Sequence, residues 1–140
     1  MKKYFFLGFL LFALLSTAYV YWYYYDLKSE GSRIGVLNKI SKKGNIFKTY
    51  EGEIVQLGYK PSAQGGINSN TFYFSVEDQG IADSLNAVLG KNLKVHYNQY
   101  RKCLPWRGEN YNGQNQNNET GQYIVDKIEK VTDQTQATGF

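Results

Sequence analysis

Few residues in this chain can do covalent or acid–base chemistry, and their spacing keeps them apart. His96 is the single histidine and Cys103 the single cysteine of the 140 residues. A histidine acts as a general base only within hydrogen-bond reach of the reacting group, with a partner to orient it. Asn92 to Arg101 alternates apolar and polar residues, which puts Leu93, Val95 and Tyr97 on one face and Lys94, His96 and Asn98 on the other. His96 is therefore expected as a solvated polar residue on an outer face. Cys103 has no partner for an intrachain disulfide, so it reads as a bystander, with a bridge between two chains as the alternative. Glu51 and Glu53 stand two apart in a strand pattern and share a face, where paired carboxylates can serve as acid and base. Period-two carboxylates read better as a solvated strand edge. No G-x-S-x-G, Walker-type phosphate loop or H-E-x-x-H occurs. One His and one Cys would leave a zinc ion dependent on carboxylates without ligand spacing. The expectation is a chain that is not an enzyme and uses no cofactor or metal.

Residues suited to binding are easier to find. Lys39, Lys42, Lys43 and Lys48 flank one turn and could meet anionic headgroups or acidic polymers; the alternative is a charged strand end that keeps the sheet soluble. Tyr100 at the end of the fourth strand and Trp106 and Arg107 in the loop after it combine stacking faces with a cation, as sugar and single-strand binders do. The competing arrangement has Trp106 plugging one end of the domain beside Pro105, with Arg107 over it as a cation–π lid. The possible ligand or partner surface is thus Lys42, Lys43, Lys48, Tyr100, Trp106 and Arg107. Asn110 to Thr120 is amide-rich and lacks apolar residues to fold by itself; within it Asn118-Glu119-Thr120 fits a glycosylation sequon.

These residues need elements to hold them. Tyr4 to Tyr25 contains no charge and has the length that a bilayer requires of a helix. Its outer end, Tyr19 to Tyr25, has the composition of an interfacial aromatic belt. Lys2 and Lys3 precede the run, which by the positive-inside rule leaves the N-terminus cytoplasmic and exports the rest. A cleaved signal peptide ending at Ser16-Thr17-Ala18 is the rival reading, but apolar character continues past Ala18. The expected plan is residues 1–3 cytoplasmic, 4–25 a transmembrane anchor, 26–32 a linker, 33–131 a β domain and 132–140 a flexible tail. The expected location is the inner membrane, single-pass, with a periplasmic C-terminal domain. Two of the 16 basic residues precede the anchor, so the remainder exceed the 12 acidic residues by only two, and no nucleic-acid partner is expected.

The domain should be mainly β, because 13 Tyr, 8 Phe and 2 Trp suit pleated, half-buried surfaces. Strands are expected at 33–40, 47–59, 70–77, 92–101 and 122–131, with Gly52 allowing a bulge or bend in the second. A short helix capped by Asp78 and stopped by Gly90 should bury Ile81, Leu85, Val88 and Leu89. Five strands with one helix between the third and fourth match the order of a small OB-like barrel. An SH3-like barrel and a twisted sheet carrying one helix are the alternatives.

Ser29-Glu30-Gly31-Ser32-Arg33-Ile34-Gly35, Ser41-Lys42-Lys43-Gly44, Phe47-Lys48-Thr49-Tyr50-Glu51-Gly52-Glu53, Phe74-Ser75-Val76 and Pro105-Trp106-Arg107-Gly108 together resemble a family of small membrane-anchored proteins of Bacteroidetes bacteria. The resemblance implies no defined activity. Members often carry the label 6-phosphogluconate dehydrogenase, which does not fit a short chain lacking any G-x-G-x-x-G. Glu109 to Gly121 is an insertion relative to that family's pattern. The functional expectation is a membrane-anchored, non-enzymatic envelope protein whose β domain binds or helps assemble another envelope protein. A glycan or anionic-polymer binding module is the alternative.

Overall fold

A computed structural model describes residues 1–61, 67–108 and 120–133. Of the expected amide-rich loop from Asn110 to Thr120 all but Thr120, and of the expected tail 132–140 all but its first two residues, lie outside these residues. Helix α1 runs from Lys2 to Tyr25 and is long and apolar enough to cross a membrane. None of its residues is buried, and the apolar side chains from Tyr4 to Leu15 are exposed. Five strands follow: β1 (Leu27–Lys43), β2 (Thr49–Pro61), β3 (Ile67–Val76), β4 (Asn92–Tyr100) and β5 (Gln122–Thr132), with helix α2 (Gln79–Ala87) between β3 and β4.

The strands hydrogen-bond in the order β1-β2-β3-β5-β4, and β4 returns to β1, so the sheet closes. All pairs are antiparallel except β3 with β5, which meet in parallel at Ser75 and Ile124. Closure gives every strand two neighbours and removes the open edges that would recruit other chains.

β1 makes this closure possible because it is long enough to serve two partners. Leu27 to Val36 pairs with β4 and Val36 to Lys43 with β2. The expected linker 26–32 is therefore strand from Leu27 onward. Leu27 to Glu30 and Ser32 are exposed, while the backbone of the segment pairs with His96 to Tyr100, far along the chain.

The interior follows the apolar alternation. Leu37, Ile54, Phe72, Phe74, Val76, Leu93, Val95, Tyr123 and Val125 are buried together with Ala82 and Leu85 of α2. Asp78 caps α2 as expected, its Oδ1 accepting the Ile81 N–H at 3.1 Å. Ile81 and Val88 pack on the core, but Leu89 stays exposed. The helix ends at Ala87 and Val88 is its C-cap, so Leu89 no longer follows the helical period.

Gly52 does not form the expected bulge. It pairs regularly with Ile40 and Phe74, and the irregularity between β1 and β2 falls at Leu37 to Lys39 instead. The glycine is needed for space: a Cβ there would lie 2.3 Å from the Phe74 ring. One end of the interior is aromatic, with Phe72, Tyr97 and Tyr123 in mutual contact at centroid distances of 5.1 to 5.6 Å. The Arg33 guanidinium sits 4.3 Å over Phe72 and shares its charge with the other two rings. Arg33 falls on the inward side of β1, where alternation alone would have asked for an apolar residue.

Candidate binding surface

The β1–β2 hairpin closes with Lys43 opposite Thr49. Gly44 has φ +117°, and a Cβ on it would lie 2.0 Å from the Phe47 carbonyl oxygen, so the turn requires glycine. That conformation pushes Ile46 and Phe47 outward, 88% and 49% exposed. Lys42 and Lys48 are exposed on either side, Lys43 is half-exposed, and the Lys42 ammonium lies 5.4 Å over the Tyr50 ring. Lys42, Lys43 and Lys48 thus stand at the hairpin end, while Lys39, also expected there, pairs with Glu53 further down the ladder.

Trp106 joins this tip. Its ring is 50% exposed and stands 6.0 Å from that of Phe47, at 63°. It does not plug the sheet; Leu104 is the buried apolar side chain of its loop. Gln122 holds that loop, accepting the Leu104 N–H at 2.9 Å while its Nε2 donates to Leu104 O at 2.9 Å and Gly108 O at 3.2 Å. Nothing in the sequence around Gln122 marked it for this role.

Arg107 has a different place from the one expected. It is 1% exposed. Its Nη1 donates to Lys102 O at 3.2 Å and its Nη2 to Tyr24 O at 3.0 Å. The guanidinium carbon lies 3.8 Å over Tyr100 and 4.8 Å over Tyr25. A helix leaves its last carbonyls unpaired and its C-terminal end partly negative, and α1 has no basic residue in its last turn. Arg107 supplies the missing cation from the domain. Arg107 and Tyr100 therefore leave the expected ligand surface, because both are engaged at the helix–domain junction. Burial there pushes the Tyr100 phenol upward, and it raises the Glu77 carboxyl despite the opposing pull of Arg107, 3.8 Å away.

Further contacts reinforce the junction. Arg101 pairs with Asp26 at 2.8 Å, and Tyr25 meets Tyr100 edge-on at 6.4 Å. The Lys102 ammonium lies 5.0 Å over Tyr23, and a hydrogen bond to that phenol raises its pKa. Between α1 from Ser16 to Tyr25 and the loop from Cys103 to Trp106 runs an open groove of about 660 Å³, mostly apolar.

Residues 27–118 match the domain of unknown function DUF8785. The chain belongs to this family. No curated protein and no solved structure matches it. The DUF8785 region starts at the first residue of β1 and contains Lys42, Lys43, Lys48, Tyr100, Trp106 and Arg107. It ends before β5, the strand that joins β3 to β4 in the sheet of this DUF8785 protein.

The residues considered for acid–base chemistry fall into separate networks. Glu51 accepts from Thr49 and Ser75, each at 2.7 Å, and Glu53 from Asn38 at 3.3 Å. The ring nitrogen His96 Nδ1 stands 2.6 Å from Asp126 Oδ1, and that hydrogen bond raises the imidazole pKa. His96 is thus held by a carboxylate on β5 rather than simply solvated. Cys103 is a half-buried free thiol in the groove wall. Among the described residues, no three His, Cys, Asp or Glu side chains are grouped to hold a metal ion.

Proposed function

We propose that this protein is a non-enzymatic, membrane-anchored module whose β domain binds or helps assemble another protein of the cell envelope. In this reading α1 is retained as a single inner-membrane span with a cytoplasmic N-terminus, and the domain is periplasmic. The domain is an OB-like barrel. In support, β3 meets β5, α2 lies between β3 and β4, and the closed strand order is that of a five-stranded Greek-key barrel.

The observation that carries the reading is the bond from Arg107 to the last turn of α1. A flexible tether suits capture of ligands at variable distance, whereas a domain fixed to its span holds one orientation toward the bilayer. Fixed orientation is what an assembly with another membrane-held protein needs. The glycan reading ranks second, because the burial of Arg107 leaves Trp106 with only the hairpin lysines for a sugar or polymer.

Tagged full-length chain, purified from solubilised membranes, is expected to bring one protein partner in constant ratio. Arg107→Ala should lower that ratio at equal expression. Repeated recovery of the chain alone would remove the assembly reading. A C-terminal reporter active only in the cytosol would remove the topology.

A further inference from the structure

We propose that the hairpin tip and the Trp106 loop form a second membrane contact, seating the domain on anionic phospholipid at the face where α1 emerges. The inference rests on the reading of α1 as a retained span. Its partner is a lipid surface, and its residues are Ile46, Phe47 and Trp106, with Lys42, Lys48 and Lys102 around them.

The first argument is composition in space. Ile46, Phe47 and Trp106 come from two separate loops, and the Phe47–Trp106 ring contact joins them into one exposed apolar patch. A soluble surface gains nothing from leaving an isoleucine 88% exposed beside two half-exposed aromatic rings. Indole rings favour the headgroup level of a bilayer, where an apolar body and a polar N–H are both accommodated. Exposed lysines next to such a patch complement anionic headgroups, and their stems cover apolar surface while the ammonium groups stay wet.

The second argument is position. Trp106 forms one wall of the apolar groove whose other wall is α1 from Ser16 to Tyr25. Ser16 lies nine residues before Tyr25, about 13 Å along a helix axis. The uncharged run from Tyr4 to Tyr25 is about as long as the hydrocarbon core is thick. A groove walled by the outer ten of those 22 residues therefore opens across the headgroup region and into the acyl layer beneath it, and its opposite wall meets the same layer. Lipid filling this groove is continuous with the lipid around α1. Lys102, over Tyr23 in the helix's last turns, places one more cation at that level.

The chain contains two tryptophans, Trp22 on α1 and Trp106 on the patch, which allows a direct test. Full-length Trp22→Phe and Trp106→Phe proteins are placed in phosphatidylcholine–phosphatidylglycerol vesicles, with and without bromine near the carboxyl end of the acyl chains. In Trp22→Phe, bromolipid should lower Trp106 emission about twofold, and Trp106 should resist aqueous acrylamide. Ile46→Ser with Phe47→Ser should restore most of the emission. Lys42→Glu with Lys48→Glu should restore it about as well when phosphatidylglycerol is present, and less in its absence. The inference is overturned if Trp106 keeps its emission in bromolipid and is quenched by acrylamide while Trp22 is quenched by bromolipid. If Trp22 also escapes bromolipid, the retained-span reading fails along with it. Shielding of Trp106 by soluble cell-wall fragments but not by lipid would overturn the inference in favour of a polymer ligand.

Discussion

Arg107 Nη2 donates to the Tyr24 carbonyl oxygen at 3.0 Å, across 83 residues of sequence. One side chain thus completes the C-terminal end of α1 and fixes the loop after β4. Replacing it by Ala leaves Tyr24 O and Lys102 O without their donor and takes the cation from between Tyr25 and Tyr100. Charge-assisted hydrogen bonds of this kind contribute about 1.5–3 kcal/mol each, and loss of a buried partner sits at the high end. Arg107→Ala should cost about 3 kcal/mol in chemical unfolding of the full chain in detergent. Arg107→Lys should recover little, because one ammonium cannot serve two carbonyls in a planar fork and cover a ring as well. Full recovery by Lys would show that charge alone matters.

The Glu77 carboxyl reports on the same junction. Burial raises its pKa above the usual 4.5, and Arg107 partly offsets this. For an acid raised on folding, the native state binds more protons between the unfolded and folded pKa values, so stability falls as pH rises through that window. Arg107→Gln should move Glu77 further up and widen the window. A carboxyl titration followed by isotope-edited NMR should show that upward move; a downward move would mean that Arg107 does not face Glu77 in solution.

How much of this was legible in the sequence follows from where each residue finds its partner. Leu93 and Val95, or Phe72 and Phe74, announce a buried face through their own neighbours, and Asp78 announces α2 because its capping partner is three residues away. Leu27 to Ser32 gives no such sign: after Leu27 it has no apolar side chain to alternate, and what makes the segment a strand is backbone pairing with Asn98 to Tyr100 and the residues before them. Arg107 was read as a surface cation because its acceptor is a helix carbonyl, which no side-chain pattern encodes. Gln122 was missed for the same reason, since its partners are the backbone of Leu104 and Gly108.

His96 and Asp126 link β4 to β5 at 2.6 Å, and beside that hydrogen bond the charges of Asp126, Glu30 and Glu129 also raise the imidazole pKa. The folded pKa is raised from 6.5, so the stabilisation is fully present below that value and is lost as pH rises through the folded pKa. Asp126→Asn should lower the His96 pKa, measured by NMR of the ring protons, and should flatten the fall of stability across that interval. An unchanged titration would show that the pair does not persist in solution.

Gly52 tests close packing in the core. A Cβ would stand 2.3 Å from Phe74, a ring held at 5.8 Å from Phe72. Gly52→Ala should cost about 1–3 kcal/mol, as overpacking does. Phe74→Leu alone opens a cavity and should also destabilise the protein. Because the second change removes the atoms that the first collides with, the double variant should be more stable than the two losses summed, by about 1 kcal/mol or more. Strict additivity in thermal unfolding would mean that the backbone, not the ring, yields at Gly52.

Gln122 is buried, and its amide reproduces the pairing of a strand neighbour for a loop that has none. Gln122→Leu keeps the approximate volume but takes the partner from the Leu104 N–H and the Gly108 carbonyl oxygen and leaves Leu104 O with the Arg107 N–H alone, at about 1–3 kcal/mol for each group left unpaired and kept from water. Gln122→Glu retains the acceptor for Leu104 N–H but sets a carboxylate against Leu104 O and Gly108 O, so it should be no milder. In both variants amide exchange at Leu104 should accelerate, and Trp106 should lose its contact with Phe47 because the loop that carries it is released. Retained protection at Leu104 in Gln122→Leu would place the hold on this loop in Arg107 alone, and the two side chains would no longer act together in presenting Trp106.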